Sequence, residues 1–113
     1  MRYLLFICGD KATDISPAEG HQIDSAAESW ADSTTSRGIR LQGQRLADPG
    51  DATTVRVRDS ELLVADGPFA ETKEFIAGFD IIECGDLDEA IEVAAAHPMA
   101  RYGAVEIRPF WQP

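Results

Sequence analysis

The sequence predicts an α+β domain, a ferredoxin-like split βαβ sandwich with an added hairpin. Three observations carry this reading. Six short apolar or alternating runs read as strands, two capped amphipathic segments read as helices, and their order is β-α-β-(β-β)-β-α-β. In that order the two helices bracket the central strands and cover one face of an antiparallel sheet. The other face still carries apolar residues from several strands, and a second subunit is the simplest cover for it. The expectation is a homodimer.

Each element has a local cause. Residues 2–8, with the apolar run Tyr3 to Ile7, make the first strand. In "DISPAEG" Ser16 is placed to cap a helix, Pro17 takes its first position, and Glu19 completes a capping box. Ile23, Ala26, Ala27 and Trp30 fall at helical spacing. Gly38 suits the end of that helix, after Arg37. Residues 39–46 read as the second strand, and "ADPGDA" as a turn cluster. Residues 53–58, "TTVRVR", alternate cleanly, with Val55 and Val57 on one face and Arg56 and Arg58 on the other. After a short reversal at "DSE", residues 61–65 return as the partner strand of a hairpin. Residues 75–84 give a long strand, on which Phe75, Ala77, Phe79 and Ile81 share a face. Asp80 lies on the opposite face, where burial would demand a partner such as Arg56 or Arg101. Asp86 caps a second helix, with Glu89 three residues on. Leu87, Ala90, Ile91 and Ala94 form its stripe, and Pro98 ends it. Residues 103–108 are the last strand, with Val105 and Ile107 inward.

Composition narrows the functional classes. The 113 residues make one domain, 1–113, with room for a single core. A formal net charge of −10 repels phosphate backbones and anionic lipid, which argues against nucleic-acid and membrane partners. No apolar run is long enough to span a bilayer, and the opening "MRYLLFICGDK" lacks the features of a signal peptide, so the expected location is cytoplasmic. Cys8 and Cys84 read as buried small hydrophobes in a reducing compartment. No metal-ligand spacing or cofactor motif appears, and no cofactor is expected.

The stretch "VADGPFAETKEF", residues 64–75, is the most unusual in the chain. An apolar strand stops at Asp66, a rigid Gly67-Pro68 turn follows, and a charged loop precedes the next apolar run. The segment "DGPFAETKE", residues 66–74, resembles the YCII-related family in its DGPF subgroup, and the resemblance extends to "MRYLLFICGD" and "ARYGAVEIRP" at the two ends. It implies a ferredoxin-like subunit that pairs into a dimeric α+β barrel. In the wider family a His–Asp pair in a pocket is regarded as the active site, and some relatives look like dehalogenating or lyase-type enzymes. The subgroup is also associated with alternative sigma factors. By resemblance Asp66 lies in the subgroup's motif, His97 falls near a position that carries Asp in the wider family, and His21 falls near the family's active-site His. The corresponding pair here would then be two histidines.

Each candidate residue carries two readings. Asp66 either bonds turn amides through its own side chain or points into a cleft as a general acid or base. Gly67 and Pro68 hold its direction and that of Phe69. Phe69 fills the core or the dimer seam, or stacks on a ligand. Glu71, Lys73 and Glu74 form a solvated loop, or a lid lining a pocket. His97 either answers the helix dipole or, titrating near neutral pH, exchanges protons with a substrate. His21 lies on the first helix, at or near the surface. Two functions follow. One is a cofactor-independent small-molecule enzyme using Asp66 and His97 in a pocket beside the DGPF turn. The other is a non-catalytic dimeric module that binds a ligand or assists a regulatory partner.

Overall fold

The computed structural model describes residues 1–113 and is an α+β structure with two antiparallel sheets. Its elements are β1 (Arg2–Asp10), α1 (Pro17–Ser36), β2 (Arg40–Arg45), a 3-10 turn at Pro49–Asp51, β3 (Thr53–Arg58), β4 (Glu61–Asp66), β5 (Glu74–Glu83), α2 (Leu87–Ala95), α3 (Met99–Tyr102) and β6 (Ala104–Pro109). The main sheet has the order β2-β5-β1-β6, while β3 and β4 form a separate two-stranded sheet. This topology is compatible with a ferredoxin-like sandwich carrying an extra hairpin.

The helix starts follow the sequence closely. The Ser16 hydroxyl accepts from the Glu19 N–H at 3.1 Å, and the Glu19 carboxylate accepts from the Ser16 N–H at 3.4 Å, so the capping box is complete. Asp86 accepts from the Glu89 N–H at 2.9 Å, but Glu89 reaches back to the Gly85 N–H rather than to the cap residue. The short α3 was not foreseen, and it packs on the end of β1 immediately after Pro98.

The core lies between the helices and one face of the sheet. Tyr3, Leu5 and Ile7 of β1 meet Trp30 of α1, Ile82 and Cys84 at the end of β5, and Ala90, Val93 and Ala94 of α2. A side chain as completely buried as Leu5 contributes about 1.5–3 kcal/mol relative to exposure. Two expectations about facing need correction. On β5 the residues turned to the helices are Gly78, Asp80 and Ile82, which pair with Ile7, Leu5 and Tyr3, while Phe79 and Ile81 lie on the open face. A register shift at Ile7/Cys8 brings Phe75 back towards the helix side, where its ring overlies Gly9. On α2 the inward stripe is Ala90, Val93 and Ala94, with His97 one turn further on, whereas Leu87 and Ile91 are exposed. Small residues let the short helix sit close to the sheet, and that closeness decides its rotation.

The hairpin reverses through Asp59 and Ser60, both at positive φ (53° and 65°), the signature of a two-residue turn matched to strand twist. Val55 pairs with Val64 and Val57 with Leu62, so the four side chains share one exposed face.

Candidate functional site

Of the three buried polar side chains, Thr34, Asp80 and His97, two line one cavity. The cavity lies between α1 and the sheet and has a volume of about 490 Å³. That is within the range of small-molecule pockets. Its apolar wall includes Ile23, Trp30, Phe75 and Met99, and its polar groups include Arg40, Asp80 and His97.

Asp80 stands on β5, on the face that packs under α1, and is 6% exposed. Its Oδ1 accepts from the Arg40 Nε at 2.7 Å. The sequence offered Arg56 or Arg101 as partners, but the strand neighbour is β2, and β2 brings Arg40. Gly43 lies directly opposite Asp80 on β2, and a Cβ there would sit 1.9 Å from Asp80 Oδ1. Only a residue without a side chain leaves room for the pair. Burial raises the Asp80 carboxyl above the ordinary carboxylate range, and the hydrogen bond and charge of Arg40 oppose that shift. The second oxygen, Oδ2, has no protein partner, and no fully buried side-chain polar atom is left unpaired, so Oδ2 is open.

His97 follows α2 and is 6% exposed. Its Nδ1 accepts from the Met99 N–H at 3.0 Å. In the neutral ring the proton therefore sits on Nε2. Nε2 makes no protein hydrogen bond and is likewise not sealed, so it is the ring atom left to the cavity. The Trp30 ring meets the imidazole edge-on, with centroids 4.8 Å apart, and the Trp30 Nε1–H donates to the Val93 carbonyl at 2.9 Å. Burial pulls the His97 pKa down to about 4. The expectation of a histidine titrating near neutrality is thus corrected: at pH 7 this ring is an uncharged donor.

The remaining sequence candidates lie elsewhere. Asp66 ends β4, is exposed and does not line the cavity. Its carboxylate makes no hydrogen bond in the turn. Instead the Thr54 hydroxyl donates to the Gly67 carbonyl at 2.8 Å, and Arg56 donates to the Phe69 carbonyl at 3.3 Å. Gly67 has φ 93°, a left-handed backbone that glycine adopts without strain, and its N–H donates to the Ala52 carbonyl at 2.7 Å. Pro68 is half-buried beside it, and Phe69 is 80% exposed, so it does not fill the core. Glu71 and Lys73 are exposed, and the Lys73 carbonyl accepts from the Lys11 N–H at 2.8 Å. His21 is exposed on α1; its neighbours Gly20 and Asp24 line the cavity and it does not. The structure thus places His97 at a cavity, keeps Asp66, Gly67, Pro68, Phe69, Glu71 and Lys73 outside it, and adds Asp80 and Arg40.

Two comparisons with known proteins bear on identity. An uncharacterized protein of Rhizobium meliloti (strain 1021) is 45% identical over 69 residues, a match that covers 58% of this chain and 54% of that protein. The chain therefore spans about half the length of this curated relative. The family model for the YCII-related domain matches residues 1–112, nearly the whole sheet-and-helix framework described above, and the chain belongs to the YCII-related family.

Proposed function

We propose that the protein acts on a small organic molecule held between α1 and the sheet, with Asp80 as proton acceptor and His97 as hydrogen-bond donor. The carrying observation is that Asp80 and His97, the buried carboxylate and the buried imidazole, line one part-apolar cavity. A carboxylate raised towards neutrality is a better base than an exposed one. A neutral imidazole with its Nε2–H free stabilises a developing negative charge without needing to be protonated. The chemistry that suits this pair is removal of a proton next to a carbonyl. The C–H proton passes to Asp80, and the electron pair moves to the carbonyl oxygen facing His97. Eliminations and isomerisations both begin this way.

The test is solvent-deuterium incorporation into small ketones and acids, followed by proton NMR. Exchange in the wild type should fall by about a hundredfold or more in Asp80→Asn with the fold intact. Exchange that is equal in both proteins would remove Asp80 from the chemistry.

A second reading, a dimeric accessory module, rests on the hairpin. Val55 and Val57 are each 59% exposed, and Leu62 and Val64 extend the same apolar face. The radius of gyration is 15.9 Å, against about 13 Å for a compact chain of this length. In this reading two protomers pair as a dimeric α+β barrel, and the hairpin with the Asp66–Lys73 loop reaches over the partner. The two readings are compatible, since the hairpin face and the cavity are built from different residues. Light scattering that gives the mass of one chain at micromolar concentration would refute the pairing.

A further inference from the structure

The cavity's charges select among ligands. Its lining holds four carboxylates, Asp24, Glu28, Asp48 and Asp80, against the two guanidiniums of Arg40 and Arg45. Both guanidiniums are engaged, Arg40 with Asp80 at 2.7 Å and Arg45 with Asp24 at 3.1 Å. Glu28 on α1 and Asp48 before the 3-10 turn have no ion-pair partner. The chain as a whole carries −10, which deepens the negative potential. Ile23, Trp30 and Phe75 add apolar surface to the same lining. The Nε2 of His97, on a side chain more than nine-tenths buried in the same lining, has no protein partner and offers a donor.

We infer that the ligand is an amine-bearing molecule with an apolar, ring-sized body, its ammonium set between Glu28 and Asp48 and a hydrogen-bond acceptor turned to His97 Nε2. This rests on the proposed reading of the cavity as the site and adds the ligand's chemical class. Anionic ligands, phosphates and simple carboxylates among them, meet uncompensated negative charge at Glu28 and Asp48 and a guanidinium already committed to Asp80. Such ligands are selected against.

The test uses three probes that share a phenyl-alkyl body: phenethylamine, hydrocinnamate and the uncharged hydrocinnamamide. Each is titrated into the full chain while backbone amide NMR signals are followed. The inference expects shifts at Trp30, Phe79 and Met99 from the amine and the amide, with hydrocinnamate about tenfold weaker than the amine. In the double variant Glu28→Gln/Asp48→Asn, both sites being exposed, the amine should lose its advantage over the amide while the amide binds as before. Hydrocinnamate binding as tightly as phenethylamine, or an amine preference that survives the double variant, would overturn the ligand class and leave the cavity standing as a site. Silence at these signals from all three probes would overturn the cavity reading and this inference together.

Discussion

Arg40 and Asp80 stand on the adjacent strands β2 and β5 and meet through Nε and Oδ1 at 2.7 Å, in space that Gly43 keeps free. Both residues line the cavity. The pair also ties the edge strand β2 to the interior of the sheet, because the Asp80 side chain is 8% exposed and that of Arg40 only 22%.

Removing one partner should cost more than removing both. Asp80→Asn leaves the Arg40 guanidinium without its counter-charge in a largely desolvated place, with an expected loss of about 3 kcal/mol. Arg40→Leu combined with Asp80→Leu should recover most of it, since apolar replacement of a buried pair is often neutral. Urea unfolding of Arg40→Leu, of Asp80→Leu and of the double variant measures the coupling. Additive losses would mean that the pair is not coupled.

Gly43→Ala tests the space itself. The new methyl group would lie where Asp80 Oδ1 and the Arg40 guanidinium now sit. Overpacking of this kind costs about 1–3 kcal/mol. The variant should melt lower than the wild type and show an altered Asp80 environment. A variant as stable as the wild type would show that the pair can relocate freely.

Acid should destabilise the fold through His97. Its folded-state pKa of about 4 lies below the ordinary imidazole value of 6.5, so between these values the unfolded chain binds more protons. The stabilising contribution is complete above about pH 6.5 and falls as the pH drops towards 4, by at most about 3 kcal/mol. Asp80 works in the opposite direction, because its raised carboxyl takes up a proton in the folded state before it would in the unfolded chain. His97→Asn keeps an acceptor for the Met99 N–H but no titrating ring. It should flatten the loss of stability between neutral and mildly acidic pH, as read by denaturant melts across that range. An unchanged slope would assign the acid sensitivity to other groups.

The start of α1 offers a local check. Ser16→Ala removes the oxygen that accepts from the Glu19 N–H and should cost about 1 kcal/mol in thermal unfolding, with the cavity unaffected.

The hairpin face gives the prediction for assembly. Val55→Lys with Val64→Lys places two charges on adjacent, directly paired positions that are already exposed in the protomer. On the proposed pairing, the fold should persist by circular dichroism, while the mass measured by light scattering falls from two chains to one. A mass that stays at two chains would move the interface away from this face.

Much of the framework was legible because its signals are local. Ser16, Pro17 and Glu19 announce α1, Asp86 announces α2, and the alternation of Val55 and Val57 gives β3. Facing was harder to read on β5, because that strand is apolar on both sides and alternation alone does not choose between Phe79 with Ile81 and Gly78 with Ile82. The Arg40–Asp80 contact depends on strand order and on a register irregularity between Arg40 and Gln42, neither of which is written in any single segment. His97 did carry a usable signal, since it continues the inward spacing of Ala90, Val93 and Ala94. The "DGPFAETKE" segment is the conspicuous one in the sequence, but it lies outside the cavity. Its Asp66 is an exposed strand end in the protomer, and the cavity is built from less conspicuous residues.

Everything proposed for the cavity depends on His97 presenting an uncharged Nε2–H to it. Nitrogen NMR of the imidazole rings, with the His97 signals assigned by their loss in His97→Asn, tests it directly. The account predicts a proton on Nε2, a bare Nδ1, and no change of state until the pH approaches 4. A ring protonated on Nδ1, or one that titrates near 6.5, would contradict both the geometry and the function built on it.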